Sequence, residues 1–130
     1  MDKGYQISVE EHYILLRVTP GTTVTAEFVI SMLKELHAME AYRTDKQAGL
    51  WDFRGAKADA RYEDIRKIME FSSSNYDPNW THKYTVLVAD KDLLYGLSRI
   101  YDSLTPHIPS ETKIFREFDE AVKWIKEQLL

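Results

Sequence analysis

Apolar and polar positions alternate over the first stretch of the chain and then change to a helical period. Tyr5, Ile7 and Val9 share one side, and Ile14, Leu16 and Val18 repeat the alternation, as strands with one buried face do. Glu10-Glu11-His12 leave room only for a tight connection, so a hairpin is predicted. Pro20-Gly21 ends its second strand, because Pro presets φ at one turn position and Gly accepts positive φ at the next. Thr23 or Thr25 is placed to cap a helix, with Glu27 in its first turn where the helix dipole favours an anion. Phe28, Val29, Met32, Leu33, Leu36 and Met39 form its apolar stripe.

Leu50-Trp51-Asp52-Phe53, between Gly49 and Gly55, reads as a buried strand. A second helix is predicted from Asp59 as N-cap, with Tyr62, Ile65, Ile68 and Met69 inward. Ser72-Ser73-Ser74-Asn75 and Asp77-Pro78-Asn79 then read as a turn-rich loop. Tyr84 to Ala89 is apolar almost throughout, as central parallel strands are. Asp90 is placed to cap a third helix carrying Leu93, Leu97, Ile100 and Leu104, broken by Pro106 and Pro109. Lys113-Ile114-Phe115 is a last short strand, and Phe118, Ala121, Val122, Ile125 and Leu129 line a terminal helix. The predicted order is ββαβαβαβα: an α/β domain spanning residues 1–130, with a mixed, mostly parallel sheet flanked by helices.

Composition narrows the function classes. The 130 residues include 17 Lys and Arg against 21 Asp and Glu, a formal net charge of −4, which gives no electrostatic reason to expect nucleic acid. The absence of cysteine excludes disulfides, Cys-ligated zinc, iron–sulfur clusters and thiol nucleophiles. No apolar run approaches the ~18 residues of a membrane span, and the start shows no secretory pattern, so a cytoplasmic location is expected.

Candidate chemistry is sparse. His12, His37, His82 and His107 lie 25, 45 and 25 residues apart, so no pair has the spacing of two metal ligands on one helix, and no metal or cofactor is expected. The scattered glycines form no phosphate loop, and no GxSxG elbow is present. Ser72, Ser73 and Ser74 read as solvated loop serines. Trp51 and Trp124 read as core, whereas Trp80, in a loop, is a candidate partner contact or pocket lid. In open α/β sheets ligands settle beyond the carboxyl ends of the strands. That rule selects Asp52 and Arg54 after one strand, and Asp90, Tyr95 and Arg99 after another, as the outline of a polar crevice. Asp90 and Asp59 also have a simpler use as caps. Asp52 and Asp90 form the one pair to weigh as an acid/base couple of a small hydrolase or isomerase, though no orienting or oxyanion group accompanies them.

With this order and the segment Trp51-Asp52-Phe53-Arg54-Gly55 in view, the chain resembles the STAS superfamily, in particular the SpoIIAA-like branch of small stand-alone bacterial proteins. Asp52-Phe53-Arg54-Gly55 resembles its Asp-Leu-x-Gly strand end, and Phe115 to Ile125 is similar to its closing "Glu-Ala-x-x-Trp-Leu" pattern. Anti-sigma factor antagonists of that superfamily carry Asp-Ser-Ser-Gly at the second helix and switch partners by phosphorylation. The matching stretch here is Asp59-Ala60-Arg61-Tyr62, with Ala60 where the hydroxyl would stand. The resemblance therefore implies a non-enzymatic regulatory module that binds a protein or a small ligand without that phosphoswitch. Asp59 and Arg61 join the candidate contact residues, a nucleotide or lipid is the alternative ligand class, and a homodimer remains open.

Overall fold

A computed structural model describes residues 3–103 and 110–129; the predicted roles of the Leu93 and Leu104 side chains, His107, and the breaks at Pro106 and Pro109 lie outside it. The elements are β1 (Tyr5–Val9), β2 (Ile14–Val18), β3 (Thr23–Val24), α1 (Ala26–His37), α2 (Glu40–Thr44), β4 (Ala48–Asp52), β5 (Lys57–Ala58), α3 (Tyr62–Asn75), β6 (Tyr84–Val88), α4 (Asp92–Ser103), β7 (Glu111–Phe115) and α5 (Phe118–Gln128). The main sheet runs β1-β2-β4-β6-β7, with β1 antiparallel to β2 and every other neighbour parallel. β3 and β5 form a separate two-stranded parallel pair. The predicted order is thus present, with β3, β5 and α2 added.

Local chemistry explains the turns and caps. The Thr22 N–H donates to Thr19 O (3.1 Å) across Pro20-Gly21, and Gly21 has φ +88°, a value glycine adopts without strain. Thr25 caps α1 by accepting from the Phe28 N–H (3.2 Å). Several expectations need correction. Met39 belongs to no stripe on α1; it is the N-cap of α2. Asp59 does not cap α3, which begins at Tyr62; the Asp64 carboxylate instead accepts the Arg61 N–H (2.8 Å), and Tyr62 is 53% exposed rather than inward. Ser72 to Asn75 are the last turn of α3, with Ser72 buried, because the stripe of Ile65 and Ile68 continues to that position. Asp90 likewise does not stand at the N-cap position: α4 starts two residues later, and the Asp90 carboxylate accepts the Gly55 N–H (3.2 Å).

The sheet separates two cores. Because strand order advances without reversal through β2, β4, β6 and β7, right-handed crossovers put α1, α3 and α4 on one face. There Ile14, Leu16, Val18, Trp51 and Leu87 meet Met32, Leu33 and Leu36 of α1 and Ile65 and Ile68 of α3. On the other face Leu15, Leu50, Val86 and Val88 close against Ala121 and Ile125 of α5. Trp51 is core, whereas Trp124 is half-buried and packs against the α5-side core, meeting the rings of Tyr84 and Phe115.

Candidate functional site

The three-helix face does not close completely. A cavity of about 120 Å³ lies between the sheet and α1, α3 and α4. At the carboxyl ends of the strands its wall is Trp51, Phe53, Leu94, and Val24 and Ala58 from the β3–β5 pair. Leu33, Leu36, Ile65, Ile68, Leu87 and Leu97 continue it as an apolar tube.

At the amino ends of β6 and β7 the wall turns polar. His82 Nε2 lies 2.9 Å from Thr85 Oγ1 and 3.3 Å from Ser110 Oγ, and the two hydroxyls are 3.1 Å apart. The Ser110 hydroxyl also donates to Lys83 O (3.4 Å). The Tyr76 hydroxyl donates to His82 O (2.9 Å), fixing the residue from behind. The Tyr101 hydroxyl donates to Ser72 Oγ (3.0 Å), joining α4 to α3 across the same wall. His82 Nδ1 is buried and has no hydrogen-bond partner among the described residues.

Aromatic rings back this end. His37 stacks on Tyr42 (5.5 Å) and Phe71 (6.0 Å), and Tyr42 lies 4.6 Å from the His82 ring. Trp80 packs on His37, Tyr42 and Tyr76, so this half-buried loop tryptophan is part of the wall's support. Burial, with a smaller effect from nearby His37, pushes the His82 imidazole down to about 3, so it is neutral at pH 7. Burial also lowers His37 and raises the phenols of Tyr42, Tyr76 and Tyr101, Asp77 adding to the rise at Tyr76. The titratable side chains that line this end, His37, Tyr42, Tyr76, His82 and Tyr101, are therefore all shifted toward their uncharged forms.

The residues selected from sequence sit elsewhere, and none is among the described lining residues of the cavity. Asp52 is buried and accepts from Arg54 N, Nε and Nη2 (3.1, 2.9 and 2.8 Å) and from Arg17 Nε (3.3 Å). Burial alone would raise its carboxyl, but the Arg54 bonds and both guanidinium charges outweigh this and hold it below its ordinary value. Arg54 in turn lies over the Phe118 ring (4.6 Å). Asp90 braces Gly55, as described, and Tyr95 is covered by Arg116 (4.3 Å to the ring centroid). Asp59, Arg61 and Arg99 are exposed. The structure thus joins Asp52 to Arg54, and brings Asp90 beside the loop that follows them. A strand order without reversal has no switch point, the feature that opens the crevice the strand-end rule anticipates. No group of three or more His, Asp or Glu that could hold a metal occurs among the described residues.

The cavity's polar end carried a legible signal. Ser72 on α3, and Ser98 and Tyr101 on α4, occupy positions of apolar stripes, and Thr85 interrupts the inward side of an apolar strand. The convergence of His82 with Ser110, 28 residues away, had none.

With this geometry established, comparison with solved structures places the architecture. The crystal structure of an uncharacterized DUF3478-family protein with a SpoIIAA-like fold, from Shewanella loihica PV-4, superposes with a TM-score of 0.57 at 16% identity, over 93% of this chain and 91% of that one. The fold is SpoIIAA-like. No family model and no curated protein sequence matches the chain. Among the described residues of this SpoIIAA-like domain, no helix is long and apolar enough to cross a membrane.

Proposed function

We propose that the chain is a non-enzymatic, regulatory binding module whose ligand is a small molecule held between the sheet and the α1, α3 and α4 layer. The observation that carries this reading is the 120 Å³ cavity, apolar along its length and hydrogen-bonding at one end, the usual composition of small-molecule sites. Asp52 and Asp90, the two carboxylates weighed as an acid/base couple, are each engaged in bracing the strand ends, which supports binding over catalysis. A route from cavity to surface supports regulation. Ala60 lies on the cavity wall, while its neighbours Asp59, Arg61 and Tyr62 are exposed, so occupancy is felt by the segment a partner protein would touch.

The test is thermal unfolding against a panel of uncharged and charged fragments of one-ring size, on the native chain and on Ser98→Leu, which fills the cavity from α4. A fragment at 100 times its Kd adds about 2.7 kcal/mol to the native chain. Stabilisation that vanishes in Ser98→Leu is the expected outcome. A panel without a stabilising member, or stabilisation that survives the substitution, overturns the reading.

A further inference from the structure

The wall chemistry narrows the ligand class, given the reading of the cavity as a ligand site. Size is the first constraint: about 120 Å³ is close to the ~150 Å³ cavity that accommodates a benzene ring, so the occupant has roughly six to ten heavy atoms. Charge is the second. The described lining residues include no Lys, Arg, Asp or Glu, and the lining imidazoles and phenols are uncharged at neutral pH. An ionised carboxylate or phosphate placed there would lose its hydration and gain no counter-ion, which costs several kcal/mol.

The third constraint is a count of donors and acceptors. A neutral imidazole and two hydroxyls offer three polar hydrogens and five acceptor positions. One hydrogen, that of Ser110, is directed at Lys83 O, leaving two for the triangle formed by His82, Thr85 and Ser110. With the imidazole hydrogen on Nε2 every hydrogen finds an acceptor, His82 donating to Thr85 Oγ1, Thr85 to Ser110 Oγ and Ser110 to Lys83 O. A hydrogen on Nδ1 would instead be buried without a partner among the described residues, so Nδ1 is left as an acceptor. The cluster is therefore rich in unfilled acceptors, and what complements it is a donor.

We propose that the cavity binds an uncharged molecule, an apolar ring or short chain bearing one hydroxyl or N–H donor, with that donor directed to the cluster formed by His82, Thr85 and Ser110. Alcohols, phenols and primary amides fit this class; fatty-acid anions and nucleotides do not.

Isothermal titration calorimetry on the full chain with three probes of one size class tests it: p-cresol, toluene and p-toluate. The expected order is p-cresol about tenfold tighter than toluene, the value of one added hydrogen bond, with no measurable heat of binding for p-toluate. In Thr85→Val, isosteric with threonine, the p-cresol advantage disappears while toluene affinity stays within about threefold. Ser110→Ala is the companion variant should Thr85→Val not fold by circular dichroism, and it has the same expected effect. Equal affinity for p-cresol and toluene, binding of p-toluate, or a p-cresol advantage that persists in both variants overturns the donor assignment and leaves the cavity reading standing. Failure of every probe to bind the native chain overturns both.

Discussion

The two faces of the sheet solve the same packing problem in opposite ways. On the α5 face, Leu15, Leu50, Val86 and Val88 are aliphatic, and Ala121 lets the helix approach closely, so Leu50, Val86, Val88, Ala121 and Ile125 are fully buried with relative exposure of 0%. On the other face, large rings (Tyr42, Trp51, Phe53) and hydroxyl-bearing side chains hold α1, α3 and α4 away from the strands, and space remains. At roughly 24 cal/mol per Å³, leaving 120 Å³ unfilled costs about 3 kcal/mol relative to a packed layer. One face thus serves stability, and the other gives some of it up where a ligand can restore it.

The largest expected effect separates the faces directly. Leu50→Ala, at the centre of the packed face, should cost about 4 kcal/mol in urea unfolding, toward the upper part of the range for buried leucine truncations. Leu33→Ala, which borders the cavity and has partner atoms on fewer sides, should cost about 2–3 kcal/mol. Equal losses would break the contrast.

Acid should unfold the protein through the cavity face first. His82 titrates at about 3 in the folded chain against an ordinary value of 6.5, so the unfolded chain takes up the proton first. Stability is then complete above pH 6.5 and falls as pH drops toward 3, by on the order of 3 kcal/mol at pH 4.5 from this group. His37, also lowered by burial, adds to the loss in the same direction. Asp52, and Glu35 of α1 through its hydrogen bond from the Lys3 ammonium (2.7 Å), are held below their ordinary values, so their stabilising contributions are lost only at lower pH, beginning in the carboxylate range. Chemical unfolding between pH 7 and 4.5 should show this slope, and His82→Gln should flatten it; an unchanged slope would remove His82 as its source.

The smallest effect is a reversal of sign. Enlarging a small residue on the packed face, Ala121→Leu, should cost about 1–3 kcal/mol through overpacking. The comparable enlargement on the cavity face, Ser98→Leu, should raise stability by about 0.5–2 kcal/mol. Calorimetric melting of the two variants checks both signs.

Much of the fold was legible because its determinants are local. Alternation at Tyr5 to Val18, the Pro20-Gly21 turn, the stripe from Val29 to Leu36 and the apolar run at Tyr84 to Val88 each report a period or a turn preference. The errors came where two local rules competed. Asp59 looked like a cap, but an acidic side chain three residues inside the helix, Asp64, serves the Arg61 N–H instead. The triple serine looked like a loop, but the buried position of Ser72 keeps that turn in the helix.

The functional residues divide along the same line. The sequence alone determined the strand and helix order and the mostly parallel sheet, since each follows from the period of single segments. Only the tertiary structure decided that His82, Thr85 and Ser110 meet, that Tyr101 reaches Ser72, and that Asp52 is held between Arg17 and Arg54. The cavity is of this second kind, because it arises from a mismatch between two packed layers, and neither layer's pattern contains the distance between them.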